Sequence, residues 1–282
     1  MYNFPIGVML ESFRLPVREA VEKAASLGVQ GLQVYASRGE ITPEMTKDKK
    51  AEFISLLDAN GLKLSALCGD FGHGFGDKEK NKDLIEASKK VLYLAKELGT
   101  NIVTTHIGVV PEDPSHPRYQ IMQEACFTLA EFADSQDAHF AIETGPEKAS
   151  VLKGFLDGLH SKGVAVNLDP ANLAMVVGDD AVEAVHTLKD YIVHTHAKDG
   201  KMLAQKKPEY IYGVEADPHP EIASFLEVPL GEGSVNFPTY LAALQEVGYR
   251  GFLTIEREVG ENPAGDIGMA VDFLKGIIGG NE

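Results

Sequence analysis

The chain has 282 residues, with 26 Lys and Arg against 42 Asp and Glu, a formal net charge of −16, and 44% hydrophobic residues, enough for a sizeable core. That acidity disfavours a nucleic-acid partner, because phosphate contacts need clustered basic side chains and no basic stripe is present. Two cysteines, Cys68 and Cys126, do not make a disulfide scaffold. The start MYNFPIGVML lacks the basic and long apolar regions of a secretion signal, and no apolar run approaches the roughly 20 residues of a membrane span, so a soluble cytoplasmic protein without membrane contact is expected.

The first apolar run, 6–10, leads into MLESFRLP, with Glu11 at its end. A doubly wound nucleotide-binding sheet would show a glycine-rich loop there. Seven further strand-like runs follow at 31–36, 63–68, 101–106, 139–143, 164–168, 191–196 and 252–256. Helical stretches alternate with them near 17–27, 44–59, 81–98, 118–135, 149–161, 179–188, 237–246 and 265–277. Five times a helical pattern stops at a Gly and an apolar strand begins within a few residues; Gly28, Gly61, Gly99, Gly163 and Gly248 are read as the helix caps. Alternating βα units predict a parallel sheet with helices outside. Eight of them in one chain, without linker or low-complexity break, predict a single (β/α)8 TIM barrel over residues 1–282. The longest irregular stretch, 197–236, lies between the last two strands and is read as a lid over the barrel mouth or a surface excursion.

Active sites of such barrels lie at the C-terminal strand ends. Here those ends are polar: Glu11, Tyr35, Cys68 with Asp70, His106, Glu143, Asp169, His196 and Glu256. Several carboxylates converging on one rim repel one another unless a cation neutralises them. Glu143, Asp169, His196 and Glu256 close strands five to eight and can share one divalent ion. His194 lies two residues before His196, on the same strand face but deeper, as a packing or supporting group. Glu258 lies further out than Glu256, within reach of Lys198. Three oxygen donors and one nitrogen suit a hard octahedral ion, Mn²⁺ first because it tolerates imidazole, with Mg²⁺, Co²⁺ or Zn²⁺ as alternatives.

The stretches IETGPE, NLDPANL, HTHAKDG, TTHIG and PLGEGSVNFPTYLAALQEVGYRGFLTIERE resemble the xylose isomerase-like TIM-barrel superfamily, in its sugar phosphate isomerase/epimerase branch. The likeness covers nearly the whole chain. It implies Glu143, Asp169, His196 and Glu256 as the metal ligands. It further implies proton transfer through a metal-bound enediolate, with Glu143 and Glu256 as the catalytic carboxylates. His106, Asn172 and Lys198 would then meet the substrate, and Glu11 and Tyr35 at the first two strand ends are placed with them. The expected partner is a small sugar or sugar phosphate; a homo-oligomer would suit the family. Many such epimerases carry Asp-x-x-His where this chain has Asp169-Pro170-Ala171-Asn172, and Asn172 cannot titrate. No clear phosphate cradle is present; Arg14, Lys198, Lys201 and Arg257 are the candidates. A lyase or dehydratase of a keto-sugar or inosose, and a non-catalytic sugar-binding barrel, are the alternatives.

Overall fold

Runs such as HFAIE and VAVNL are apolar on both faces, so they are stable only in a sheet covered on each side. In the computed structural model, which describes residues 2–279, they are staves of a closed parallel barrel. Its strands are β1 (Ile6–Met9), β2 (Gly31–Tyr35), β3 (Lys63–Cys68), β4 (Ile102–Thr105), β5 (His139–Glu143), β6 (Val164–Leu168), β7 (Ile192–Ala197) and, after an excursion, β10 (Leu253–Ile255). They close in the order β1-β10-β7-β6-β5-β4-β3-β2. The expected (β/α)8 barrel is therefore present.

The outer layer comprises α1 (Val17–Ser26), α2 (Lys47–Ala59), α3 (Lys78–Leu98), α4 (Pro117–Ser135), α5 (Ala149–Asp157), α7 (Ala181–Leu188), α9 (Phe237–Glu246) and α10 (Pro263–Gly279). Local chemistry sets their starts. Asp77 accepts the Glu79 amide at α3, Asp180 accepts the Val182 and Glu183 amides at α7, and Asn236 accepts the Thr239 amide at α9. A short turn, α6 (Pro170–Asn172), begins at Asp169, whose side chain accepts the Asn172 amide at 2.9 Å.

Two expectations need correction. Gly163 does not cap a helix: α5 ends at Asp157, and it is His160 that takes the left-handed turn, at φ 49°. Gly163 is required for another reason, since a Cβ there would stand 2.1 Å from the Ala130 carbonyl oxygen. The stretch 197–236 is also more than a loop. It holds an antiparallel pair, β8 (Asp199–Met202) with β9 (Phe225–Val228), and the short helix α8 (Pro208–Ile211).

Candidate metal centre at the barrel mouth

The ends of β5, β6, β7 and β10 deliver one donor each to a single point. Ligand atoms of Glu143, Asp169, His196 and Glu256 all lie within 4.8 Å of one another. All four side chains are buried, with exposures of 6%, 0%, 0% and 7%. His196 Nδ1 faces three carboxylates at once: Asp169 Oδ2 at 3.3 Å, Glu256 Oε2 at 3.4 Å and Glu143 Oε1 at 3.5 Å.

The opposite ring nitrogen is fixed from behind. His196 Nε2 stands 2.9 Å from Gln33 Oε1, while the Gln33 amide group donates to Thr104 Oγ1 at 2.8 Å. Asn167 Nδ2 also lies 3.2 Å from Nε2, but the Gln33 acceptor is the nearer partner and favours a proton on Nε2 with the lone pair on Nδ1. A lone pair aimed at three carboxylates is repelled by them unless a cation or a second proton lies between. Burial pushes the His196 imidazolium down, but the Glu256 and Glu143 charges outweigh it and hold its pKa well above the usual value. The donor set and its geometry thus fit a divalent cation, which would take the place of that proton.

Beneath this layer a polar network fills the barrel. Asn167 donates to Glu143 Oε2 at 3.2 Å and its Oδ1 lies 2.9 Å from His194 Nδ1. His194 Nε2 in turn lies 3.1 Å from the Thr254 hydroxyl. Burial drives the His194 pKa well below the ordinary value, so the ring is neutral, donating from Nδ1 and accepting at Nε2. The two register irregularities of the barrel fall between Leu32 and Gln33 and between Val166 and Asn167. The residues left unpaired at these shifts are Ser65 on β3 and Val193 on β7, opposite the positions where Gln33 and Asn167 extend their amides to within 2.9 and 3.2 Å of His196 Nε2.

Above the cluster is a cavity of about 230 Å³. Glu143 and Glu256 line it, whereas Asp169 and His196 lie behind them. His106, Asn172, Lys198 and Tyr35 line it too. Asn172 donates to Glu143 Oε1 at 3.1 Å. Lys198 Nζ binds Glu256 Oε2 at 2.9 Å and also pairs with Glu258. His106 Nε2 stands 3.6 Å from Glu143 Oε1, and its Nδ1 is buried without a protein partner. The Arg38 guanidinium covers the Tyr35 ring at 3.9 Å from its centre. Glu11 is placed differently: it does not line the cavity, and its Oε1 accepts the Tyr35 amide at 3.1 Å.

Sequence reasoning missed Gln33 and Asn167, although a lone amide within an apolar strand was the available signal. It also missed the apolar roof, Met175 and Val176 after β6 with Ile211, Tyr212 and Phe225 from the excursion. These residues carry no mark that separates them from core.

A family profile described as xylose isomerase-like TIM barrel matches residues 21–277. The chain belongs to the xylose isomerase-like TIM-barrel family. Among curated relatives, the L-ribulose-5-phosphate 3-epimerase UlaE of Escherichia coli O157:H7 (strain EC4115) is 23% identical over 286 residues, covering 93% of each chain. An uncharacterized protein, MJ1311 of Methanocaldococcus jannaschii, is 26% identical over 187 residues, 62% of this chain and 56% of that protein. A crystal structure of a xylose isomerase domain protein from Planctomyces limnophilus superposes with a TM-score of 0.79 at 26% identity, covering 98% of this chain and 97% of that one.

Proposed function

We propose that this centre binds one divalent cation, Mn²⁺ in the first place, and isomerises or epimerises a small sugar or sugar-derived keto compound by moving a proton next to its carbonyl. One observation carries the reading: of the four clustered donors, only Glu143 and Glu256 also face the cavity. They come from β5 and β10, which β6 and β7 separate in the barrel, so two carboxylates reach the same space from different sides. A cation held there supplies Lewis acidity toward a substrate carbonyl and its neighbouring hydroxyl.

The residues then divide the proton work. One of Glu143 and Glu256 removes the proton beside the carbonyl; the other returns it, to the same carbon from the opposite face or to the neighbouring carbon. Asn167 and Asn172 fix Glu143 by donating to its two oxygens, and Lys198 fixes Glu256. Lys198 and His106, which both line the cavity, supply donors to substrate oxygens where negative charge develops. The relative aligned over 93% of the chain is a 3-epimerase, in keeping with this reaction class.

The test is solvent-deuterium exchange into a panel of ketoses with wild type, Glu143→Gln and Glu256→Gln, each loaded with Mn²⁺. Either substitution lowers turnover by about 10²–10⁴-fold. Rates like wild type in either variant would remove the assignment, and substrate-dependent loss of water would reassign the centre to a lyase.

A further inference from the structure

We infer that the substrate of this centre is unphosphorylated, and that Asp70 and Glu258 at the cavity wall set that preference. This rests on the reading of the centre given above. The cavity lining carries four carboxylates, Asp70, Glu143, Glu256 and Glu258, against one ammonium, Lys198. That ammonium is already shared by Glu256 and Glu258. With Asp169 of the cluster counted, five carboxylates outnumber the charges of Lys198, a divalent cation and a protonated His106 together, so the site stays net negative.

The sequence offered other cations for a phosphate, and the fold commits them elsewhere. Arg14 donates to the carbonyls of Gly260 at 2.7 Å and Glu258 at 2.9 Å. Arg257 binds Glu227 at 2.7 Å and Asp266 at 2.8 Å. Lys201 is exposed on β8, outside the cavity lining. A neighbouring cavity of about 580 Å³ does hold Arg118 and Lys206, but Arg118 pairs with Glu209 at 3.2 Å and Lys206 with Asp217. Val176 and the segment 208–212 contribute to both cavities, which places that wall between them.

The rest of the lining suits a neutral chain. Met9, Met175, Ile211 and Phe225 are apolar, and Tyr35 and Tyr212 add rings. Such a surface packs against the C–H faces of a hydroxylated chain; Arg38 lies over the Tyr35 ring and is not among the lining residues, so a phosphate dianion would lose its hydration mainly against carboxylates.

The experiment uses the full chain loaded with Mn²⁺ and pairs of ketopentoses and ketohexoses with their terminal phosphates. Deuterium exchange gives kcat/KM and titration calorimetry gives Kd for each pair; inorganic phosphate, titrated in parallel, reports any binding of phosphate at the ion alone. The free sugar of each pair is favoured by about 100-fold or more, as like-charge juxtaposition requires. Asp70→Lys narrows that ratio by at least about tenfold, through gain for the phosphate. A phosphate ester that binds or turns over as well as its free sugar would overturn the inference while leaving the proton-transfer reading intact. Preferential binding of free sugars without exchange into any of them would do the reverse.

Discussion

His196 has one ring nitrogen tied to a neutral amide and the other turned on three carboxylates. Gln33 is therefore a positioning residue for the proposed ligand set: it decides which nitrogen can bind an ion. Gln33→Leu keeps the bulk and loses that acceptor. Mn²⁺ affinity is expected to fall about 10–100-fold, with the circular dichroism spectrum unchanged; undiminished affinity would show that the ring needs no such support. Glu147 gives a separate prediction at this scale. It is buried beside the neighbouring cavity, its Oε2 accepts the Val110 amide at 3.2 Å, and its Oε1 has no partner. Burial pushes its pKa from 4.5 up to about 8. The folded chain thus holds a proton that the unfolded chain gives up between those values, so stability falls as pH rises through that window. Glu147→Gln removes the penalty and stabilises the fold by on the order of 3 kcal/mol at pH 7, with little effect below pH ~4.5. Urea unfolding of both proteins across that range measures it, and a pH-independent difference would contradict it.

At the scale of elements, one carboxylate closes the excursion between β7 and β10 on itself and another ties it to the end of β10. Asp199 accepts four backbone amides, from Gly200, Gly231, Gly233 and Val235. Glu227 on β9 binds Arg257 and accepts the Glu258 amide at 3.1 Å, which ties the hairpin to the segment carrying Glu256 and Glu258. Asp199→Ala leaves those four donors without their acceptor, at about 1–3 kcal/mol for each one that stays buried. Limited proteolysis should then cut first within 199–235; an unchanged cleavage pattern would show that the hairpin holds without this clamp.

The barrel strands were legible because fully buried strands read as unbroken apolar runs, and because four of the five glycines read as caps do take positive φ at helix ends. The hairpin was not. DGKM and FLEV are short, and their partnership depends on Asp199 gathering amides more than 30 positions away. The four clustered donors were legible because each ends its run at the rim. The amides behind them were hidden because Gln33 and Asn167 each stand alone within an apolar strand, and only closure of the barrel sets both beside His196.

For the molecule as a whole, closure of the parallel sheet brings residues 143, 169, 196 and 256 to one side of the mouth, although the chain between the first and last exceeds a hundred residues. Among the described residues no helix is long and apolar enough to cross a membrane. Three buried carboxylates meet Lys198, His106 and the His196 ring as sources of positive charge, and a bound cation would lower the cost of their burial. The most direct measurement is calorimetric titration of chelator-treated protein with Mn²⁺, on wild type, Asp169→Ala and His196→Ala. The account predicts one ion per chain for wild type, a rise in Tm on loading, and an affinity lower by at least about 10-fold in each variant. No stoichiometric ion in wild type, or an ion bound equally well by both variants, would contradict it.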